Sequence, residues 1–236
     1  MNNHRRPQQV RIIAGQWKRT PLPVANIDGL RPTPDRVRET VFNWLEHLQD
    51  RRWDNRRCLD LFAGTGALGF EAASRGAAEV VMVESHPTAL KNLQAVCDKL
   101  KAHHVMLRSG DALHVLPTLP GKFDVIFLDP PYQQRQLPTL LPACLARLNP
   151  DGLVYVESDQ AFVLGDAIRH VEHASQGAST PSARADPASQ MKAVSPADSS
   201  GQTSSFGAQE WLSGWEVVRS GKAGQVHFAL LRPAAR

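Results

Sequence analysis

From Cys58 onward the chain alternates short apolar runs with stretches whose apolar residues recur every three or four positions. The runs at 58–62, 79–84, 104–109, 123–128 and 152–157 predict strands, since near-continuous apolar residues suit a strand buried on both faces. Between them, 66–75, 87–101 and 136–147 carry helical spacing. In the second, Pro87 fits the first turn, and Leu90, Leu93, Val96 or Cys97, and Leu100 form one stripe. An earlier helix is expected over 34–48, with Thr33 as its N-cap, Pro34 in its first turn, and Val37, Val41, Phe42, Leu45 and Leu48 facing inward. Strands alternating with helices at this spacing imply an α/β fold: a parallel sheet with helices on its faces. Near the C-terminus, 210–219 and 225–231 predict two strands joined by residues 220–224, a β-hairpin that would complete the sheet.

One stretch breaks the alternation. Residues 174–208 are dominated by Ser, Ala, Gly, Gln, Pro, Thr and Asp, with Met191, Val194 and Phe206 as the large apolar exceptions. Such a segment cannot bury enough surface to offset the entropy of ordering it, so a disordered insertion is expected there. The chain then divides into an N-terminal extension (1–57), a core (58–173), the insertion (174–208) and a closing hairpin (209–236).

Composition narrows the class. At 236 residues and 42% hydrophobic content, the chain suits one substantial domain with an appendage. No stretch reaches the roughly 18 apolar residues that span a membrane. Met1-Asn2-Asn3-His4-Arg5-Arg6-Pro7 lacks the apolar core of a secretory signal, so a cytoplasmic protein is expected. Cys58, Cys97 and Cys144 are scattered and set among apolar residues, which reads as small hydrophobes in a reducing compartment. His103, His104 and His114 lack the spacing of zinc ligands, and Trp44, Trp53 and Trp211 read as packing residues. The net charge of +4 hides an asymmetry: residues 1–57 hold twelve Lys/Arg against six Asp/Glu. This basic first quarter includes Arg5, Arg6, Arg11, Lys18, Arg19, Arg31, Arg36 and Arg38, and suits a polyanion such as nucleic acid.

Two motifs carry candidate chemistry. Asp60-Leu61-Phe62-Ala63-Gly64-Thr65-Gly66-Ala67-Leu68-Gly69 is a glycine-rich turn from a strand into a helix, and Glu84 ends the next strand, 20 residues past Gly64. Glycines let the backbone approach a ligand, and a carboxylate at a strand end accepts from ribose hydroxyls. A dinucleotide site has the same parts. Asp60, however, would repel a pyrophosphate and would favour a sulfonium ligand bearing an ammonium group. Gly110-Asp111-Ala112 adds an acceptor and an amide for an adenine edge. The second motif, Asp129-Pro130-Pro131-Tyr132, closes the 123–128 run. Asp129 and the Pro130 carbonyl could accept from an NH₂ group, with the prolines fixing that carbonyl and Tyr132 stacking on a base face. Glu157 and Ser158 suit either the pocket or the capping of their strand. Together the motifs suggest methyl transfer from S-adenosylmethionine to an exocyclic or amide nitrogen.

Arg11-Ile12-Ile13-Ala14-Gly15-Gln16-Trp17, Leu22-Pro23-Val24 and the run from Gly29 to Leu45 resemble the N-terminal signature of the RsmD-type bacterial methyltransferases. The similarity continues through Asp60–Gly69, Asp129–Tyr132, Val156-Glu157-Ser158 and Lys222-Ala223-Gly224-Gln225-Val226. It implies a Rossmann-like class I methyltransferase: a mostly parallel seven-stranded sheet with a C-terminal antiparallel hairpin, plus a small N-terminal β-hairpin and helix extension. It also implies N2-methylation of a guanine in 16S ribosomal RNA, free or in the assembling 30S particle, by a monomer that touches no membrane. By the resemblance, Asp60, Ala63, Gly64, Gly66, Glu84, Ser85, Asp111 and Ala112 would contact the donor, and Asp129, Pro130, Pro131 and Tyr132 the guanine. The basic residues, Arg5, Arg6, Arg11, Lys18, Arg19, Arg31 and Arg36 among them, would hold RNA phosphates, and the hairpin around 10–24 would lie beside the pocket mouth. The rival readings are a DNA adenine N6-methyltransferase, protein-glutamine methylation (where Asn would be expected at 129), and an RNA-binding module with a decayed enzyme core.

Overall fold

The computed structural model describes residues 10–25, 33–131, 136–162 and 210–234. Tyr132, Arg5, Arg6, Arg31 and the whole 174–208 segment therefore lie outside the described residues.

Five parallel strands form the spine: β3 (Arg57–Asp60), β4 (Glu79–Glu84), β5 (Val105–Ser109), β6 (Phe123–Leu128) and β7 (Leu148–Ser158). The hairpin β8 (Trp215–Ala223) and β9 (Val226–Pro233) adds antiparallel to β7. Across the sheet the order is β5-β4-β3-β6-β7-β9-β8. The chain runs outward from β3 to β5 and returns on the other side of β3 as β6. Their carboxyl ends thus make a topological switch point, where open α/β sheets bind ligands.

Each face of the sheet has its own apolar layer. One is covered by α1 (Asp35–Leu48), α2 (Ala67–Ser74) and α3 (Pro87–Leu100), the other by α4 (Ala112–Val115), α5 (Leu137–Leu145) and a 3₁₀ turn at Glu210–Leu212. Phe42 of α1 packs its ring 5.6 Å from Phe127 of β6 and 5.7 Å from Trp53. Cys58, Cys97 and Cys144 are buried in these layers, and burial pushes the Cys97 thiol up to about 11 and Cys144 to about 12.

The N-terminal hairpin, β1 (Val10–Arg11) and β2 (Pro21–Leu22), belongs to the first layer: Val10, Ile12 and Leu22 are buried in it. Its clamp is polar. Glu71 of α2, fully buried, accepts from the Ile13 and Ala14 amides at 2.6 and 3.0 Å. The Ser74 carbonyl accepts from Gln16, and a Cβ on Gly15 would fall 1.9 Å from that oxygen, so only glycine fits there. Trp17 stacks on His104 with centroids 5.6 Å apart.

Three local expectations change. Thr33 does not cap α1; Pro34 takes that position with no side-chain cap, and the Thr33 hydroxyl is spent elsewhere. The closing turn is only Gly224-Gln225, because residues 220–223 continue pairing along Val226–Ala229. Strand β7 starts at Leu148, earlier than 152, through a bridge to Phe123 that precedes a register shift. No helix among the described residues is long and apolar enough to cross a membrane.

Candidate active site

The Asp60–Glu84 side of the switch point is a chain of carboxylates bonded to backbone amides. The turn after β3 needs a left-handed residue at Gly66 (φ 76°), where a Cβ would also meet the Phe70 ring at 2.5 Å. Glu84, at the end of β4, accepts from the Gly64 amide at 2.8 Å and from the His86 amide at 2.7 Å. Each oxygen has a second lone pair with which to accept. Asp60 accepts from the Gly69 amide at 3.0 Å, an otherwise orphaned donor in the first turn of α2. Burial pushes the Asp60 carboxyl up to about 7; the Gly69 and Phe62 amides hold it back and Glu84 raises it further. Asp111 caps α4 through the Leu113 amide at 2.9 Å, with His114 Nδ1 3.3 Å from the same oxygen. Ala63 closes the turn by donating to the Val83 carbonyl, Ser85 is exposed beside Glu84, and Ala112 is buried behind Asp111.

These residues fit S-adenosylmethionine. A buried carboxyl whose burial resists ionisation gains when a cationic ligand arrives, whereas a pyrophosphate would meet Asp60 and Glu84 together.

The Asp129 side is built differently. Asp129 follows β6 half-buried at the sheet edge. Burial raises its carboxyl well above the ordinary range, the Glu157 and Asp60 charges add to this, and the Thr33 hydroxyl opposes it. Thr33 donates to Glu157 Oε1 at 2.7 Å and lies 3.4 Å from Asp129 Oδ2. Tyr155 donates to the same Glu157 oxygen at 2.7 Å. Thr33 is itself anchored by Arg38, fully buried, whose Nε reaches the Thr33 carbonyl at 3.4 Å and whose Nη2 reaches the Arg11 carbonyl at 2.9 Å. Beyond Asp129 opens a cavity of about 240 Å³, lined by Pro130, Pro131, Gln136, Glu157, Ser158 and Trp211 among others. Gln136 turns a buried Oε1 without a partner among the described residues. Trp211, half-buried, packs edge-on against Phe162 and against the second apolar layer, as expected of a packing residue, and also lines the cavity.

Among the described residues, the basic side chains of the first quarter do not form one patch. Arg38 is interior, and Arg57 is held by Glu79 at 2.5 Å, with Arg56 3.6 Å from Asp124, at the amino edge of the sheet. Lys18 and Arg19 are exposed at the hairpin tip, which docks on the far end of α2, away from the carboxyl edge. Only the strand end of the hairpin lies near the mouth. There Arg11, 3.4 Å from Asp35, and Arg36 are exposed within a few residues of Thr33.

Sequence reasoning missed Thr33, Tyr155, Gln136 and Trp211. Only the Thr-Pro pair carried a signal, and it also fits a helix cap.

Comparison with known proteins agrees with this architecture. The family model described as "Conserved hypothetical protein 95" matches residues 10–182. "Ribosomal RNA small subunit methyltransferase D" of Haemophilus influenzae is 42% identical over 159 residues, covering 64% of this chain and 80% of that protein. Its Escherichia coli namesake is 39% identical over 163 residues, covering 66% and 78%. The solved structure of the Escherichia coli protein yhhF superposes with a TM-score of 0.65 at 30% identity, covering 97% of this chain and 99% of that one. The chain belongs to this family, the RsmD-type methyltransferases that use S-adenosylmethionine as cofactor.

Proposed function

We propose that this chain methylates the 2-amino group of a guanine in small-subunit (16S) ribosomal RNA. The observation that carries the reading is the position of Asp129: it stands between the Asp60–Glu84 side of the switch point and the cavity beyond Pro130 and Pro131. When bound, S-adenosylmethionine supplies an electrophilic methyl on a positively charged sulfur. An exocyclic amine is a poor nucleophile because its lone pair is delocalised into the ring. Asp129 and the Pro130 carbonyl accept its two N–H bonds, which localises that lone pair and aims it at the donor side. The cavity can take a purine ring only if the base leaves its stack. Gln136 then offers an acceptor to a ring N–H, and Trp211 offers a face or an edge, while Tyr132 supplies the stacking partner implied by the motif. Arg11 and Arg36 at the rim provide phosphate contacts. The relatives named for ribosomal RNA small subunit methylation support the choice of polymer.

The test is incubation with tritiated donor and ribosomal RNA, 30S particles or plasmid DNA, followed by nucleoside mass spectrometry. N2-methylguanosine in 16S RNA is expected. Label in DNA alone, as N6-methyladenine, overturns the reading.

A further inference from the structure

Methylation of a neutral amine leaves the nitrogen with one proton too many. The N–C bond forms as the C–S bond breaks, the bonding pair departs with sulfur, and an N–H proton must then leave for a base. Asp129 is the first acceptor in reach under the reading above, on which this inference rests. It cannot keep the proton and also greet the next amine as a carboxylate.

We infer that Thr33 links Asp129 to Glu157 as a proton relay, and that Glu157 is the final acceptor of the proton shed by the methylated nitrogen. The directions of the hydrogen bonds fit. The Thr33 hydroxyl donates to Glu157 Oε1 at 2.7 Å and faces Asp129 Oδ2 as a second, longer acceptor; once Asp129 carries a proton, its own O–H can turn to the lone pairs of the Thr33 oxygen. At 3.4 Å that second contact is too long for a strong bond in the resting protein. Shortening by about half an ångström, as catalytic contacts do once substrate is seated, completes the line from Asp129 to Glu157. A proton placed on Asp129 then passes to the Thr33 oxygen as the Thr33 proton passes to Glu157: one O–H bond breaks and one forms at each step.

The surroundings favour the relay. The Tyr155 hydroxyl also points at Glu157 Oε1, so two donors mark this oxygen as the carboxylate end. Asp60 from β3 faces Asp129 with like charge, Arg38 from α1 fixes the Thr33 backbone, and β9 opposes Glu157 with the apolar Phe228. Burial and the Glu157 charge both raise the proton affinity of Asp129, which suits it to take the proton from the amine, and Glu157, which lines the cavity, then releases that proton to solvent there when product leaves.

The test uses the full-length protein and two readouts. In the unliganded protein, isotope-edited infrared titration of Asp129, assigned with Asp129→Asn, should show its protonation moving to lower pH in Glu157→Gln, since a neighbouring negative charge is gone. In single-turnover methylation of 16S RNA, the acid limb of the pH–rate curve should move the same way while the plateau falls by roughly 10²-fold, the scale of a lost acid–base group. Thr33→Val should lower the plateau similarly, and Thr33→Ser should restore it. A Glu157→Gln plateau within twofold of wild type, or an Asp129 titration that does not move, overturns the relay. If Thr33→Val fails to fold, Glu157→Gln decides alone. Failure of the guanine reading would appear separately, as a wild-type product other than N2-methylguanosine.

Discussion

The two halves of the switch point hold their carboxylates in opposite ways. On the half proposed to hold the donor, Glu84, Asp60 and Asp111 each accept from a backbone amide, so their positions follow from the turns that carry them. On the half proposed to take the target, the groups acting on Asp129 are the Glu157 carboxylate, one hydroxyl and Asp60 reaching across from the other half. A donor pocket must present the same shape before every turnover, and backbone amides do this without titrating. A target pocket must take up and release a proton, and crowded carboxyls with a hydroxyl between them do that. The strain sits where chemistry is proposed, as functional sites commonly show.

Breaking the target half gives the largest effect. Asp129→Ala should lower single-turnover methylation about 10²–10³-fold, the scale of one lost transition-state contact, with the donor Kd from calorimetry within twofold. Equal losses in both would merge the two halves into one binding site. Breaking the donor half should do the reverse. Glu84→Ala removes an acceptor and frees the Gly64 and His86 amides, so the donor Kd should rise roughly 10–100-fold, with the rate at saturating donor little changed. An unchanged Kd would mean that the ribose is held elsewhere.

Asp60 stands at the seam and tests the comparison through pH. Its folded value, about 7, exceeds the ordinary 3.8, so the native state binds more protons than the unfolded one between those values. Stability therefore falls as pH rises through that window, by about 2 kcal/mol between pH 5 and 7, and levels off above it. Denaturant melts of Asp60→Asn should lose this dependence; a slope equal to wild type would place the titration on another group. The smallest effect belongs to the rim. Reversing Arg11 and Arg36 to Glu should flatten the slope of log affinity against log salt by about 1–2, while Lys18→Glu with Arg19→Glu should leave it unchanged. Equal effects from both pairs would extend the RNA track to the hairpin tip.

Much of this was legible in the sequence because buried parallel strands are written as apolar runs: 79–84 and 123–128 coincide with β4 and β6. The glycine turn and Asp129 were legible for the same reason, since strand ends locate them. The remainder depends on contacts between distant segments. Thr33 reads as a helix cap until β7, 124 residues away, delivers Glu157 to its hydroxyl. Arg38 looks like surface charge until its helix turns it inward toward the Arg11 and Thr33 carbonyls. β1 and β2 are two residues each, too short for any period to register, and polar bonds to α2 define them as much as apolar spacing does.

The Glu71 clamp makes residues 10–20 hard to discard. A chain trimmed to begin at Thr20 would leave a fully enclosed carboxylate without two of its amide donors, and would bare the side of α2 that Gly15 now covers. The helix that opens at the Gly66 turn would then be the first to loosen, so a truncation meant to remove an RNA arm should instead disturb the proposed cofactor pocket.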